Sequence, residues 1–105
     1  MKLSKTIIVI LSSLIIAACS SGKTHDPFLS IQNSYNAGNY QEVIKRLRPL
    51  AENNNPRAQY MLGYMYYNGL GTLQDEELAR VWIERAATQG DSQAINALEI
   101  LNETS

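Results

Sequence analysis

Apolar residues in this chain recur in phase with themselves at a separation of 36 positions, and that recurrence limits the architecture more than any other feature. Ala58 and Ala94, Leu62 and Leu98, Val43 and Ala79, Leu47 and Ile83, and the dipeptides Leu50-Ala51 and Ala86-Ala87 all stand 36 apart. Upstream the separation becomes 31, because Tyr35-x-x-Gly38 matches Tyr66-x-x-Gly69, so the later unit carries a five-residue insertion within 70–74. Every periodic segment after the N-terminus has helical spacing, and nothing longer than three residues alternates like a strand. The unit is a pair of helices, which must stack on a neighbour to bury its apolar stripe. The expected fold class is all-α, a short α-solenoid of antiparallel helix pairs with about five helices in all.

Start and stop signals divide the repeating region. Asp26-Pro27 opens a first helix over about 27–37, with Phe28, Ile31 and Tyr35 on one face, and Gly38 closes it. Asn39 with Glu42 three positions on has the form of a capping box for a second helix, which turns Val43, Ile44, Leu47, Leu50 and Ala51 inward and should bend or end early at Pro49. Asn55-Pro56 starts a third helix that places Ala58, Met61, Leu62, Met65 and Tyr66 on one stripe. Asp75 caps a fourth that buries Leu78, Ala79, Trp82, Ile83, Ala86 and Ala87 and stops at Gly90. Asp91 begins a fifth, with Ala94, Leu98 and Leu101 inward, which should close the array with a polar face.

The best-formed unit reads Ala58-x-x-x-Leu62-Gly63-x-Met65-Tyr66-x-x-Gly69-x-Gly71, then Asp75-x-x-x-Ala79-x-x-Trp82-x-x-x-Ala86-Ala87-x-x-Gly90, then Ala94. It resembles the Sel1-like repeats, relatives of the tetratricopeptide repeats. The resemblance runs from about 35 to 101 and is clearest over 58–93. It implies structural roles for Ala58, Leu62, Gly63, Gly69, Gly71, Ala79, Trp82, Ala86, Ala87 and Gly90, with small residues at helix crossings, glycines in turns and Trp82 filling volume between pairs. Residues 35–55 look like a degenerate earlier unit, with Arg46 at the position of Trp82. In this repeat class the first helix of each pair lines the concave side.

The N-terminus has a different character. After Lys2 and Lys5 comes an apolar run, Ile7 to Ala18, of about a dozen residues. At ~1.5 Å per residue it reaches ~18 Å, short of a ~30 Å hydrocarbon core, and so reads as a signal peptide over 1–18. It ends in Ile16-Ala17-Ala18-Cys19, which resembles the lipobox of bacterial lipoproteins, and the one cysteine of the chain stands where that family carries its lipid. The resemblance implies lipidation of Cys19, a tether over 19–26 and a repeat domain over 27–105. With ~0.8 kcal/mol for each buried CH₂, several acyl chains hold a small domain on a membrane. Ser20 after the cysteine, rather than Asp, implies the periplasmic face of the outer membrane, within a bacterial cell envelope. Loss of residues 1–18 would leave seven basic against ten acidic side chains, a net charge of -3.

Few residues carry chemistry. One His, in the tether, and one lipidated Cys cannot make a metal site, no phosphate loop or nucleophile elbow is present, and a formal charge of -1 offers no basic field for nucleic acid. The chain is read as a non-enzyme without cofactor or metal. Its surface offers two partner-binding candidates: a stripe of Tyr60, Tyr64 and Tyr67 on the third helix, and a basic group of Lys45, Arg46, Arg48 and Arg57. The resulting expectation is a membrane-anchored lipoprotein whose repeats bind another protein or peptide as an adaptor. The alternatives are an immunity-type inhibitor of a toxic enzyme in the periplasm and a binder of cell-wall fragments.

Overall fold

The computed structural model describes residues 25–105, so the expected signal peptide, Cys19 and the first part of the tether lie outside the described residues. Those described form five helices and no strand: α1 (Pro27–Asn36), α2 (Tyr40–Glu52), α3 (Pro56–Asn68), α4 (Glu76–Thr88) and α5 (Ser92–Glu103). Each packs against the next in sequence, as a short helical solenoid requires.

The repetition of the sequence reappears in the backbone. α4 is α2 displaced by 36 positions at both ends, and α5 begins 36 after α3. The turns correspond as well: the N–H of Asn55 donates to the Leu50 carbonyl (3.0 Å) and that of Asp91 to the Ala86 carbonyl (3.1 Å). At the left-handed position of this turn stand Asn54 (φ 70°) and Gly90 (φ 88°), so Asn54 adopts a backbone more easily reached by glycine. The five inserted residues, 70–74, all lie in the connection between α3 and α4. That connection folds back along the array, and a β-carbon on Gly71 (φ 73°) would stand 2.5 Å from the carbonyl carbon of Tyr40, at the start of α2.

Four helices are capped as their sequences imply. The carboxylates of Asp26, Asp75 and Asp91 and the side-chain oxygen of Asn55 accept from the N–H groups of Phe28 (2.9 Å), Leu78 (3.0 Å), Ala94 (2.9 Å) and Ala58 (3.1 Å). A cap of this kind contributes about 1 kcal/mol. The expected capping box at Asn39 does not form, because Asn39 has ψ 61° instead of an extended backbone and Glu42 pairs with Arg46 one turn on, at 2.8 Å. Nor does α2 end early at Pro49; it runs three residues further, with the ring on the exposed face above Lys45.

The core lies mostly toward the N-terminal side. Ile31, Val43, Ile44, Leu47, Ala51, Ala58, Leu62, Met65, Tyr66 and Ala79 form its main cluster, while Ile83, Ala86 and Ala94 form a smaller one beneath α5. Trp82 packs against the main cluster but is only half-buried, with the Arg85 guanidinium 4.9 Å above its ring. The closing helix also differs from expectation. Ser92, Asn96, Glu99 and Glu103 do make a polar face, but Ile95 and Ile100 beside it are 40% and 62% exposed.

α3 and α4 cross closely at Gly63, where a β-carbon would lie 2.6 Å from Ile83 Cγ1 and 2.9 Å from the Ala79 carbonyl oxygen. In most helix interiors Gly→Ala gains ~1 kcal/mol. Here Gly63→Ala is expected to lower stability by about 1–3 kcal/mol, because the carbonyl belongs to a helix that cannot yield locally. A urea midpoint at or above that of the unaltered protein would show that the crossing has room. Trp82→Ala should cost about 2 kcal/mol, less than the ~3–5 kcal/mol of a fully buried large aromatic ring, and the same titration measures it.

Candidate functional site: a tyrosine-lined groove

α3 is packed on nearly every side. Ala58, Leu62 and Met65 enter the main core, Gly63 meets α4, and the exposed residues of the helix are Arg57, Tyr64 and Asn68. These three are spaced i, i+7, i+11 and form one stripe. Tyr60, Met61 and Tyr67, each half-buried, flank it. Arg57 is the one charged residue among the thirteen of this helix.

The first helices of the successive pairs converge on that stripe. One hollow of about 330 Å³ is lined by Phe28, Gln32 and Tyr35 from α1, Arg57, Tyr60, Met61, Tyr64 and Met65 from α3, and Gln93 from α5. A second, of about 210 Å³, is lined by Tyr60, Tyr64, Tyr67 and Asn68 with Ile83, Ala97, Ile100 and Leu101. Tyr60 and Tyr64 border both, so the two hollows join into one groove with a polar end at Arg57 and an apolar end at Ile100. Four of the six tyrosines of the chain line it.

Several contacts hold the wall in place. The Arg57 guanidinium lies 4.2 Å over the Phe28 ring, a cation–π contact worth ~0.5–1 kcal/mol at an exposed site. Tyr35 meets Tyr40 edge to face with centroids 5.3 Å apart. The adjacent Tyr64 phenol, through a hydrogen bond that favours the neutral form, and then burial raise the pKa of Tyr35 above the ordinary 10.0. Burial foremost, with the fields of Tyr64 and Asp91, raises that of Tyr60.

The two partner-binding candidates thus fare differently. Tyr60, Tyr64 and Tyr67 come together in the groove, and Arg57 joins them there. The other basic residues do not. Arg46 lies on α2, paired with Glu42 and donating to Ser30 Oγ at 3.3 Å, while Arg48 donates to the Tyr66 hydroxyl at 3.0 Å. Positions 45 and 48, three apart, share one face of α2, but Arg46 points off that face and residue 57 belongs to a different helix, so the four do not form a single basic patch. Phe28, Gln32, Tyr35, Gln93 and Ile100 are among the lining residues that were not sequence candidates. Phe28 and Tyr35 belong to the apolar stripe of α1, which reads as internal, while Ile100 is an apolar residue out of phase with Ala94, Leu98 and Leu101, a signal that could have marked it.

A second polar feature stabilises the opposite edge. Buried Gln59 donates to the Ala51 carbonyl (3.1 Å) and accepts from Gln89 Nε2 (2.8 Å), joining the α2–α3 turn to the end of α4. Among the described residues, no group of three His, Cys, Asp or Glu side chains is placed to hold a metal ion, and no helix is long and apolar enough to cross a membrane.

The raised phenols set a pH dependence. Folding favours the neutral forms of Tyr35 and Tyr60, so the stability linked to them is intact below pH 10.0 and is lost as pH rises through their higher folded-state values. Absorbance titration at alkaline pH should show Tyr35 and Tyr60 ionising above 10.0, and Tyr64→Phe should move Tyr35 back toward that value. Ionisation of Tyr35 and Tyr60 at that value would contradict the packing described.

Comparison with known proteins addresses the central helix pair. Residues 56–91 match the family model described as Sel1 repeat. The chain is also 46% identical over 43 residues to the chitin synthase regulator SKT5 of Saccharomyces cerevisiae, a stretch that covers 41% of this chain and 6% of that relative. This chain therefore spans a small part of the length of the relative it matches. No solved structure matches it. The matched residues start at the first residue of α3 and end at the cap of α5, so the similarity to the Sel1 repeat falls on the α3–α4 pair with its two connections.

Proposed function

We propose that this chain is a lipid-anchored adaptor of the bacterial cell envelope, whose helical array docks another protein or peptide in the tyrosine-lined groove. The observation that carries the docking part is the continuity of the two hollows along α3, with tyrosines shared between them. Tyrosine combines a large apolar face with a hydroxyl at low entropic cost, which suits it to protein recognition. Sel1 repeats are in general helical modules for protein interaction, which supports a binding role over a catalytic one. The anchoring part rests on Ile16-Ala17-Ala18-Cys19 after a short apolar run, with Cys19 as the acceptor of lipid. The site of action in this reading is the periplasmic face of the outer membrane.

Two measurements test the two parts separately. Cells fed labelled palmitate should label the natural chain and leave Cys19→Ala unlabelled; label retained by the variant refutes the lipid anchor. A photo-crosslinking residue at position 64 should capture a partner from membranes, whereas one at Glu84, exposed on α4, should not. Equal capture from both positions would remove the groove from the docking surface.

A further inference from the structure

The charge around the groove identifies the kind of segment it takes. Between residues 25 and 105 the chain carries six Lys and Arg against ten Asp and Glu, an excess of four acidic groups. None of those ten carboxylates lines either hollow of the groove, and one of the six cations, Arg57, does. Arg57 makes no ion pair among the described residues, and its guanidinium is held over Phe28 with its edges left for hydrogen bonding. Asp91, whose field reaches Tyr60, is engaged at the start of α5, where it accepts from the Ala94 N–H at 2.9 Å. An acidic domain thus presents one local site for an anion, bordered by the amides of Gln32 and Gln93.

The apolar end fixes a second coordinate. Arg57 precedes Tyr64 by seven residues and Tyr67 by ten, which at ~1.5 Å per residue sets the two ends of the groove ~10–15 Å apart. An extended peptide advances ~3.3 Å per residue and covers that distance in three to five residues.

We propose that the groove binds an extended peptide segment that sets a carboxylate on Arg57 and, three to five residues away, an apolar side chain in the hollow at Tyr67 and Ile100. The proposal rests on the docking reading above and names the chemistry of its partner. The carboxylate gains charge-assisted hydrogen bonds from a fixed planar donor, and the apolar side chain covers the exposed face of Ile100. The flanking amides offer donors and acceptors to the peptide backbone between them.

The test uses the full-length chain in detergent micelles and synthetic decapeptides followed by fluorescence anisotropy. One peptide carries Glu and, four positions on, Leu; controls change Glu to Gln, Leu to Asn, or the spacing to one. The first peptide is expected to bind saturably. Each control should weaken binding by about tenfold or more, and raised salt should weaken the Glu peptide and not the Gln peptide. In Arg57→Gln, with helical content unchanged by circular dichroism, the Glu and Gln peptides should bind alike. Because the peptide controls leave the protein unaltered, they decide the matter even if that variant is impaired in folding. Equal binding of Glu and Gln peptides to the natural chain, indifference to spacing, or no saturable binding by any of them overturns the proposal. A partner still captured from position 64 in membranes would then keep the docking reading while refuting this chemistry.

Discussion

The close crossing of α3 and α4 at Gly63 is the contact on which the rest of the array depends. Where a side chain would occupy the interface, the backbone of one helix instead meets Ile83 and the Ala79 carbonyl of the other. With the helices this near, α3 is clasped between the core it shares with α2 on one side and α4 on the other. A helix so enclosed has one accessible stripe left, and in this chain that stripe is Arg57, Tyr64 and Asn68. The functional surface is what remains of α3 after packing has used its other sides.

Stability is distributed unevenly along the stack. Ten buried residues make the main cluster, whereas three, two of them alanines, make the cluster under α5. The last helix is therefore held by a small apolar area, supplemented by the Asp91 cap and by Arg80, which donates to Asn102 at 2.9 Å. Elements held this way sit at the low end of local stability and adjust most easily to a ligand. Since α5 supplies Ile100 to the apolar hollow, the groove has one firm wall in α3 and one yielding wall in α5.

Much of this was legible in the residues. The period of 36 fixed which helices are equivalent, and caps at Asp26, Asn55, Asp75 and Asp91 marked where four of them begin. Signals that depend on one residue finding another were less secure. Asn39 and Glu42 have the spacing of a capping box, yet Glu42 pairs with Arg46 because a partner one helical turn away competes for the same carboxylate. Trp82 has the position of a buried residue in its repeat and packs against the main cluster, but its ring stays partly open to solvent, where the Arg85 guanidinium covers it.

By itself the sequence determined the helical class, the pairing of helices and the tyrosine stripe of α3, because periodicity and capping are local properties that a chain carries in its order of residues. Tertiary structure alone decided that Phe28, Tyr35, Arg57 and Ile100 share one groove, that Arg46 lies apart from it, and that its lining holds a cation and no carboxylate. Those facts join residues on three helices as far apart as positions 28 and 100, and only the stacking of the helix pairs brings them within reach of one another.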